Sequence, residues 1–363
     1  AVAVAQQAEP APAASPAAAA EHGPKQMWER RFGPMDADKD GKIMAMESDW
    51  SVDHGPFAPR TLASLPPRAW TLLVQGTNLI DARADALMRR FDFIPYARLD
   101  DVMVSYAAPG GGVGPHVDSY DVFLLQGFGR RRWRWGAQRD VAFVPDLPLR
   151  ILSRFAPDHD EVLGPGDMLY LPPQAAHDGV AVDACTTYSV GFRAALAQEV
   201  AEAFLTHLAD AIDLSGRYAD PDLVATRTPA RIPAAMQARF ARTLGRIRIA
   251  RGDVDAFVGE WLTEPKAHVF FAPPSRVPGI GAFAKALARR GARLDLRTQA
   301  LYDARAMYVN GERVTIPAAA RAALRRFADR RVLPAREAAS LDANAHSLLH
   351  DWYRHGWLHL GTA

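Results

Sequence analysis

The pattern of hydrophobic and polar positions divides the chain into a strand-rich first half and a helical second half. A helical pattern covers residues 82–90, and glycine and proline mark turns such as Gly164-Pro165-Gly166. Short apolar runs typical of strands occur at residues 70–75, 101–106, 122–127, 168–171 and 186–193. Short strands separated by such turns predict a jelly-roll barrel.

The second half shows helical spacing instead. Apolar residues recur at helical intervals in 198–212, 234–249 and 254–261, with no cluster of ligand-like side chains. Asn310-Gly311 between strand-like residues is a strong signal for a two-residue hairpin. Helix, hairpin and helix in that order are typical of a winged-helix module. Because no basic recognition stripe accompanies it, we expect packing rather than direct nucleic-acid binding.

Composition excludes several classes of protein. The chain of 363 residues is 49% hydrophobic and 23% charged, as expected of a globular protein with two or three domains. Its net charge of +2 does not demand nucleic acid as a partner. No apolar run reaches the length that a membrane span requires. Cys185 is the single cysteine, which excludes an intrachain disulfide and favours a buried core thiol.

The first 25 residues are mostly alanine, proline and small polar residues, a composition that predicts disorder. The opening Ala-Val-Ala-Val-Ala-Gln resembles the end of a secretory signal peptide. A basic segment and a complete apolar segment are both missing from it. We therefore expect a cytoplasmic protein without membrane association, with export as the alternative.

Residues 26–48 contain a stretch that fits the twelve-position calcium loop of an EF-hand. Gly41 would supply the sharp turn. The calcium ligands would be Asp36, Asp38, Asp40, the backbone carbonyl of Lys42, and Glu47. An acidic surface turn is the alternative, because a second loop is missing and residues 51–56 would break the exiting helix early.

His116 and Asp118 lie two positions apart, next to a glycine run at 110–114. Side chains at that spacing in a strand point to the same face, so the pair would form a two-pronged metal clamp. His177, which follows Pro172-Pro173, is the best placed third ligand. Two histidines and one carboxylate, with other positions open, are typical of non-haem Fe(II) oxygenases.

An arginine is predicted inside the barrel. Period-two alternation in residues 130–135 places Arg131 on the same face as Trp133 and Trp135. A buried guanidinium is costly without an anion, which indicates a bidentate partner for a carboxylate cosubstrate. The alternative is that these arginines are solvated or paired with acidic side chains.

Four ordered motifs together carry a family resemblance. They are residues 110–123, 129–134, 166–173 with His177, and 188–193. They resemble the JmjC-type ribosomal oxygenases, above all the bacterial branch, over about residues 44–363. The resemblance implies an α+β fold. Its parts would be a JmjC/cupin double-stranded β-helix at 49–195, a helical dimerisation region at 196–277 and a winged-helix domain at 278–363.

The resemblance also implies an activity. It is the Fe(II)- and 2-oxoglutarate-dependent hydroxylation of an arginine side chain in the sixteenth protein of the large ribosomal subunit, by a homodimer. The motif positions make His116, Asp118 and His177 the iron ligands. Arg131 would hold the distal carboxylate of 2-oxoglutarate, and Ser105 would offer a hydroxyl to it.

Other functions stay open from the sequence. The same chemistry could act on a histidine or a small molecule, or the chain could be a non-catalytic calcium- or metal-binding cupin protein. Arg131 favours the enzyme, because a metal store has no use for an internal carboxylate clamp. A cationic substrate would favour acidic residues at the barrel mouth, for which Asp121 and Asp178 are candidates.

Overall fold

A computed structural model describes residues 42–45, 51–139, 141–145, 147 and 149–362. The chain divides into two compact units. The first comprises Ala1–Ala194, Pro265–Thr298 and Arg330–Ala363, and the second comprises Ala195–Glu264 and Gln299–Asp329. Within the described part of the chain, no helix combines the length and the apolar character needed to span a bilayer.

Eleven of the described strands form the barrel of the first unit, in two antiparallel sheets. In chain order they are β1 (Lys42–Ala45), β2 (Ser51–His54), β3 (Trp70–Val74), β4 (Leu99–Ala107), β5 (His116–Val117), β6 (Val122–Gln126), β7 (Arg131–Ala137), β8 (His159–Leu163), β9 (Met168–Leu171), β10 (Ala175–Ala181) and β11 (Cys185–Phe192). One sheet has the order β2-β1-β3-β4-β11-β6-β9, and the other has the order β5-β10-β7-β8.

The helices of the described residues are, in chain order, α1 (Pro59–Ser64), α2 (Ala82–Met88), α3 (Ala197–Ala211), α4 (Ala234–Leu244), α5 (Arg251–Thr263), α6 (Ile280–Arg290), α7 (Arg321–Arg330), α8 (Ala335–Ala338) and α9 (Ala343–Arg354). Asp81 caps α2 by accepting a hydrogen bond from the Arg83 backbone N–H.

Strand alternation gives the larger sheet two different faces. Residues such as Leu72, Val104 and Val190 join the hydrophobic core that also contains Met88 of α2. Their neighbours on the opposite face, such as Ser105, line a cavity instead. The sheet therefore separates a dry core from a polar pocket, as its period of two requires.

The predicted jelly-roll strands are confirmed. Residues 168–171 form β9 with the predicted bounds, and the other predicted strands agree with β3, β4, β6 and β11 within two residues at most ends. The predicted calcium ligands Asp36, Asp38, Asp40 and Glu47 lie outside the described residues. Lys42, the remaining one, is the first residue of β1 and pairs with His54 of β2.

The C-terminal part of the first unit contains a small sheet of the order β16-β12-β17, formed by Val332–Leu333, Ala292–Leu294 and Leu358–Leu360. Arg331, immediately before it, is buried with a positive φ of 59°. Its guanidinium donates hydrogen bonds to the backbone carbonyls of Asp295, Leu296 and Thr298. These carbonyls replace the water that the charge loses on burial.

The second unit contains the predicted hairpin. Strands β13 (Ala300–Tyr302), β14 (Met307–Val309) and β15 (Glu312–Val314) form one antiparallel sheet. Asn310 and Gly311 connect β14 to β15 with φ angles of 51° and 87°, the left-handed backbone that a two-residue hairpin turn requires. Helix α4 ends at Leu244 and not at residue 249 as predicted, since Gly245 forms its C-cap.

Candidate metal centre

Two histidines of the smaller sheet form a direct cross-strand pair. His116 of β5 lies opposite His177 of β10, with their ring centroids 4.1 Å apart. Asp118 follows two positions after His116, on the same face, as the spacing predicts. Its Oδ2 lies 4.0 Å from His116 Nε2 and 3.7 Å from His177 Nε2. The three predicted ligands therefore converge on one point.

The backbone orients both imidazole rings in the same way, with Nδ1 facing a carbonyl oxygen. Nδ1 of His116 lies 2.9 Å from the Gly114 carbonyl oxygen, and Nδ1 of His177 lies 2.9 Å from that of Ala175. Each carbonyl accepts the Nδ1 proton, which leaves the Nε2 lone pairs directed toward Asp118. Burial, together with nearby His116, lowers the pKa of His177 to about 3, so its ring is neutral at neutral pH.

These donors fit a divalent transition metal. One atom from each residue lies within 4.8 Å of the others, and in the described part of the chain this is the one such group of histidine, cysteine and carboxylate side chains. Two imidazoles and a carboxylate on one side of a metal leave its other positions free. The arrangement can therefore hold an ion and still admit other ligands.

Loops tie the ligands to the barrel. The Gln174 backbone N–H donates to the Asp118 carbonyl at 2.8 Å, which joins the turn before His177 to the backbone of the carboxylate residue. The glycine run before His116 packs against protein backbone. A Cβ atom at Gly112 would lie 2.7 Å from the Gly179 carbonyl oxygen, so only glycine fits there.

Arg131 lies inside the barrel as the alternation predicts. Arg131 is 2% exposed, and its Nε and Nη2 atoms have no hydrogen-bond partner among the described residues. The outward arginines of the same strand differ, because Arg132 pairs with Asp160 and Arg134 with Asp178. The alternative of acid-paired arginines thus holds for the outer face alone. A buried guanidinium with unused donors fits a carboxylate.

Small residues on the neighbouring strand make room for this side chain. In the β10–β7 pairing, Gly179 lies opposite Trp133 and Ala181 lies opposite Arg131. A Cβ atom at Gly179 would lie 2.6 Å from the Trp133 ring. The Arg131 guanidinium lies 5.6 Å from the centroid of that ring. Any larger residue at 179 would therefore displace the tryptophan beside the guanidinium.

The metal ligands and Arg131 line one cavity of about 210 Å³ between the two sheets. Ser105, the other predicted cosubstrate residue, also lines it and is 2% exposed. Its Oγ is 3.5 Å from the Thr187 carbonyl oxygen, a long contact that leaves the hydroxyl able to bind another group. The predicted residues therefore share one cavity.

The acidic side chains at the pocket differ from those expected. Asp178 is completely buried against Arg134, and Asp121 binds Arg98 and the Tyr170 hydroxyl, so neither lines the cavity. Asp100 and Asp101 line it instead. Both sit in β4, in a run where sequence alternation alone does not distinguish a pocket wall from a sheet surface.

Gln126, Tyr120 and Lys266 were also missed. Gln126 is buried, and its amide donates to the carbonyls of Phe128 and Gly129 and accepts from the Thr187 hydroxyl, at 3.0–3.1 Å. Burial and the nearby Asp118 carboxylate raise the pKa of Tyr120, whose phenol stays protonated at the pocket. For Gln126, the position just before the glycine turn could have indicated a buried residue that holds the turn. Nothing local marks Lys266.

Two family models match the chain. A JmjC domain matches residues 86–200, and a ROXA-like winged helix matches residues 247–359. The ribosomal protein uL16 3-hydroxylase of Escherichia coli is 35% identical over 243 residues, which are 66% of this chain and 64% of that protein. A probable ribosomal oxygenase of Haemophilus influenzae is 41% identical over 180 residues, or 49% of this chain and 42% of that protein.

The matched segments thus span less than two thirds of each of these curated relatives. A solved structure covers more. E. coli YcfD, described as a ribosomal oxygenase in complex with cobalt and 2-oxoglutarate, superposes with a TM-score of 0.75 at 30% identity, over 93% of this chain and 91% of that one. With the ordered motifs and the three converging ligands, these matches show that the chain belongs to the JmjC-type ribosomal oxygenases.

Proposed function

We propose that this chain is an Fe(II)- and 2-oxoglutarate-dependent dioxygenase that hydroxylates an arginine side chain of the large-subunit ribosomal protein uL16. The observation that carries the proposal is the presence of two complementary sites in one cavity. His116, Asp118 and His177 offer a three-donor metal site, and Arg131 offers unused donors to a carboxylate.

The comparisons support the cofactors and the substrate class. E. coli YcfD was solved with cobalt and 2-oxoglutarate, and its cobalt is a substitute for iron in this proposal. The E. coli relative is named as a uL16 3-hydroxylase. Bound iron with 2-oxoglutarate would supply oxygen activation, coupled to conversion of the cosubstrate into succinate and carbon dioxide.

The protein's own side chains do the positioning. The two histidines and Asp118 would hold the ion from one side, and Arg131 would form a fork with the distal carboxylate of 2-oxoglutarate. Ser105 would donate its hydroxyl to the same carboxylate. Because the cavity lies between two sheets, bound cosubstrate and substrate would displace water from it.

The acidic wall supports a cationic side chain as substrate. The Asp101 carboxylate accepts a hydrogen bond from the Gly76 backbone N–H at 2.9 Å through Oδ2. Its other oxygen has acceptor capacity for a guanidinium, and Tyr120 lines the same cavity. An arginine is always charged, and its planar fork matches a carboxylate.

The test offers the enzyme two peptides from uL16 that differ at one position, with arginine or histidine there. With Fe(II) and 2-oxoglutarate, we expect the arginine peptide alone to gain one oxygen atom, measured by tandem mass spectrometry. Oxidation of the histidine peptide instead would move the proposal to histidyl hydroxylation. If neither peptide is oxidised although metal and cosubstrate bind, the proposed substrate is wrong.

We also propose that the active protein is a homodimer, with the second copy covering apolar side chains of the second unit. Helix α4 has no buried residue in the described chain. Exposed apolar side chains of this unit include Leu205, Leu223, Val224, Phe240 and Leu244. Apolar patches of this kind are typical of subunit interfaces.

A ribosomal-protein substrate favours action in the cytoplasm, where ribosomes are assembled.

A further inference from the structure

A lysine from a distant part of the chain lies at the mouth of the cavity. Lys266 follows α5 in sequence and belongs to the segment Pro265–Thr298 of the first unit. It lines the same cavity as the metal ligands, and its Nζ lies 3.1 Å from Asp100 Oδ1. None of the roles proposed above uses it.

Two cations already face Asp100 without a substrate. Lys266 Nζ lies 3.1 Å and Arg193 Nε lies 3.6 Å from Asp100 Oδ1. Burial raises the pKa of the neighbouring Asp101, and the Lys266 ammonium acts against this rise. An incoming cationic side chain would bring a third positive charge to this carboxylate.

Lys266 is the cation of this cluster that can leave. Its side chain is 41% exposed and extends from a turn in which the Lys266 carbonyl accepts from the Val269 N–H. Ion pairs at such exposed positions are weak, because water competes for both partners. A rotation of the side chain would place the ammonium in solvent and leave Asp100 with one cationic partner instead of two.

We propose that Lys266 is a specificity-determining residue whose ammonium occupies the acidic mouth in the free enzyme and must be displaced by the cationic side chain of the substrate. The inference rests on the proposed function, since it assumes a cationic substrate. A guanidinium forms a two-pronged bond with a carboxylate, which an ammonium cannot. The built-in lysine therefore sets a threshold that arginine passes and lysine or a neutral side chain does not.

The test compares the wild-type enzyme with Lys266→Gln and, as the matched control, Lys266→Arg. Each is titrated with the arginine peptide and with the same peptide carrying lysine, in the presence of cobalt and 2-oxoglutarate. This binding readout does not need turnover. KM and kcat for the arginine peptide are then measured with Fe(II).

We expect Lys266→Gln to bind the arginine peptide about two- to fivefold more tightly, the range of a weak ion pair, with kcat unchanged. Its preference for arginine over lysine should shrink. Lys266→Arg keeps a cation at the mouth that can bind Asp100 with two prongs, so it should bind the arginine peptide no more tightly than the wild type does. Unchanged or weaker peptide binding by Lys266→Gln would overturn the inference. If the wild type itself neither binds nor oxidises the arginine peptide, the proposed function fails as well.

Discussion

Arg131 is the side chain that distinguishes a cosubstrate pocket from a simple metal site. It is 2% exposed, and two of its nitrogens have no partner among the described residues. A buried guanidinium with unused donors is costly, which favours an anionic ligand beside it. In the proposed enzyme that anion is the distal carboxylate of 2-oxoglutarate.

Arg131→Lys should therefore weaken cosubstrate binding selectively. Lysine keeps the charge but loses the two-pronged geometry, and one lost charge-assisted hydrogen bond costs roughly 2 kcal/mol, or about thirtyfold in KM for 2-oxoglutarate. Titration of 2-oxoglutarate and of cobalt separates the two affinities. The metal affinity should not change.

Arg132→Lys is the matched control for this prediction. Arg132 is the next residue in the same strand, but its side chain is 55% exposed and pairs with Asp160. The KM of the Arg132→Lys enzyme for 2-oxoglutarate should equal that of the wild type. If both variants lose the same affinity, Arg131 does not hold the cosubstrate specifically.

Sequence reasoning reached this residue because a strand has a fixed period. Once Trp133 marks the inner face, Arg131 must share it. The same reasoning did not find Asp101, since alternation in β4 indicates a face but not what lies across from it. Asp178 was predicted as a mouth residue only because a cationic substrate would favour an acidic side chain there. It is in fact completely buried against Arg134.

At the scale of elements, the turn between β6 and β7 sets where Arg131 begins its strand. Gln126 ends β6, and its amide holds the carbonyls of Phe128 and Gly129 at 3.1 Å each. Gly129 has a φ of 64°, which glycine adopts without strain. Gln126 thus acts on the pocket through the turn, as a positioning residue.

Gln126→Glu should separate this role from a purely structural one. The carboxylate removes both donated hydrogen bonds, so we expect a loss of about 1–3 kcal/mol in the free energy of unfolding, measured by urea denaturation. KM for 2-oxoglutarate should rise as well, with little change in kcat. Gln237→Glu, at an exposed position of α4, serves as the control and should change neither.

A stability loss without any change in KM would mean that Gln126 supports the fold only.

The strands and turns around Gln126 were largely predictable, because apolar runs and the glycine and proline residues that end them are local signals. The pairing of His177 with His116 across two strands was not. Strand order and register are set by packing between segments far apart in sequence, which a local pattern does not encode.

At the scale of the whole molecule, the exposed apolar side chains of the second unit are those that the proposed dimer would cover. The sequence pattern predicted helices there and the family resemblance implied dimerisation, and α3, α4 and α5 confirm the helices. Helical periodicity identifies an apolar stripe but not what covers it. Nor does it reveal that Lys266 lines the cavity of His116 in β5, Asp118 just after it and His177 in β10.

The double variant Phe240→Asp with Leu244→Asp should convert the dimer into monomers. These side chains lie four positions apart on α4 and are 51% and 63% exposed. Light scattering after size exclusion measures the mass, and Arg242→Asp on the opposite side of the helix is the control. A wild type that is already monomeric would contradict the proposed dimer, but not the site.

The most direct test of the central claim is the source of the oxygen atom in the product. The uL16 arginine peptide is incubated with the enzyme, Fe(II) and 2-oxoglutarate under isotopically heavy oxygen gas in ordinary water. The account predicts that the peptide gains one heavy oxygen atom for each succinate formed, and that Asp118→Ala abolishes both. An unlabelled product, or label that enters only from heavy water, would contradict a 2-oxoglutarate-dependent dioxygenase.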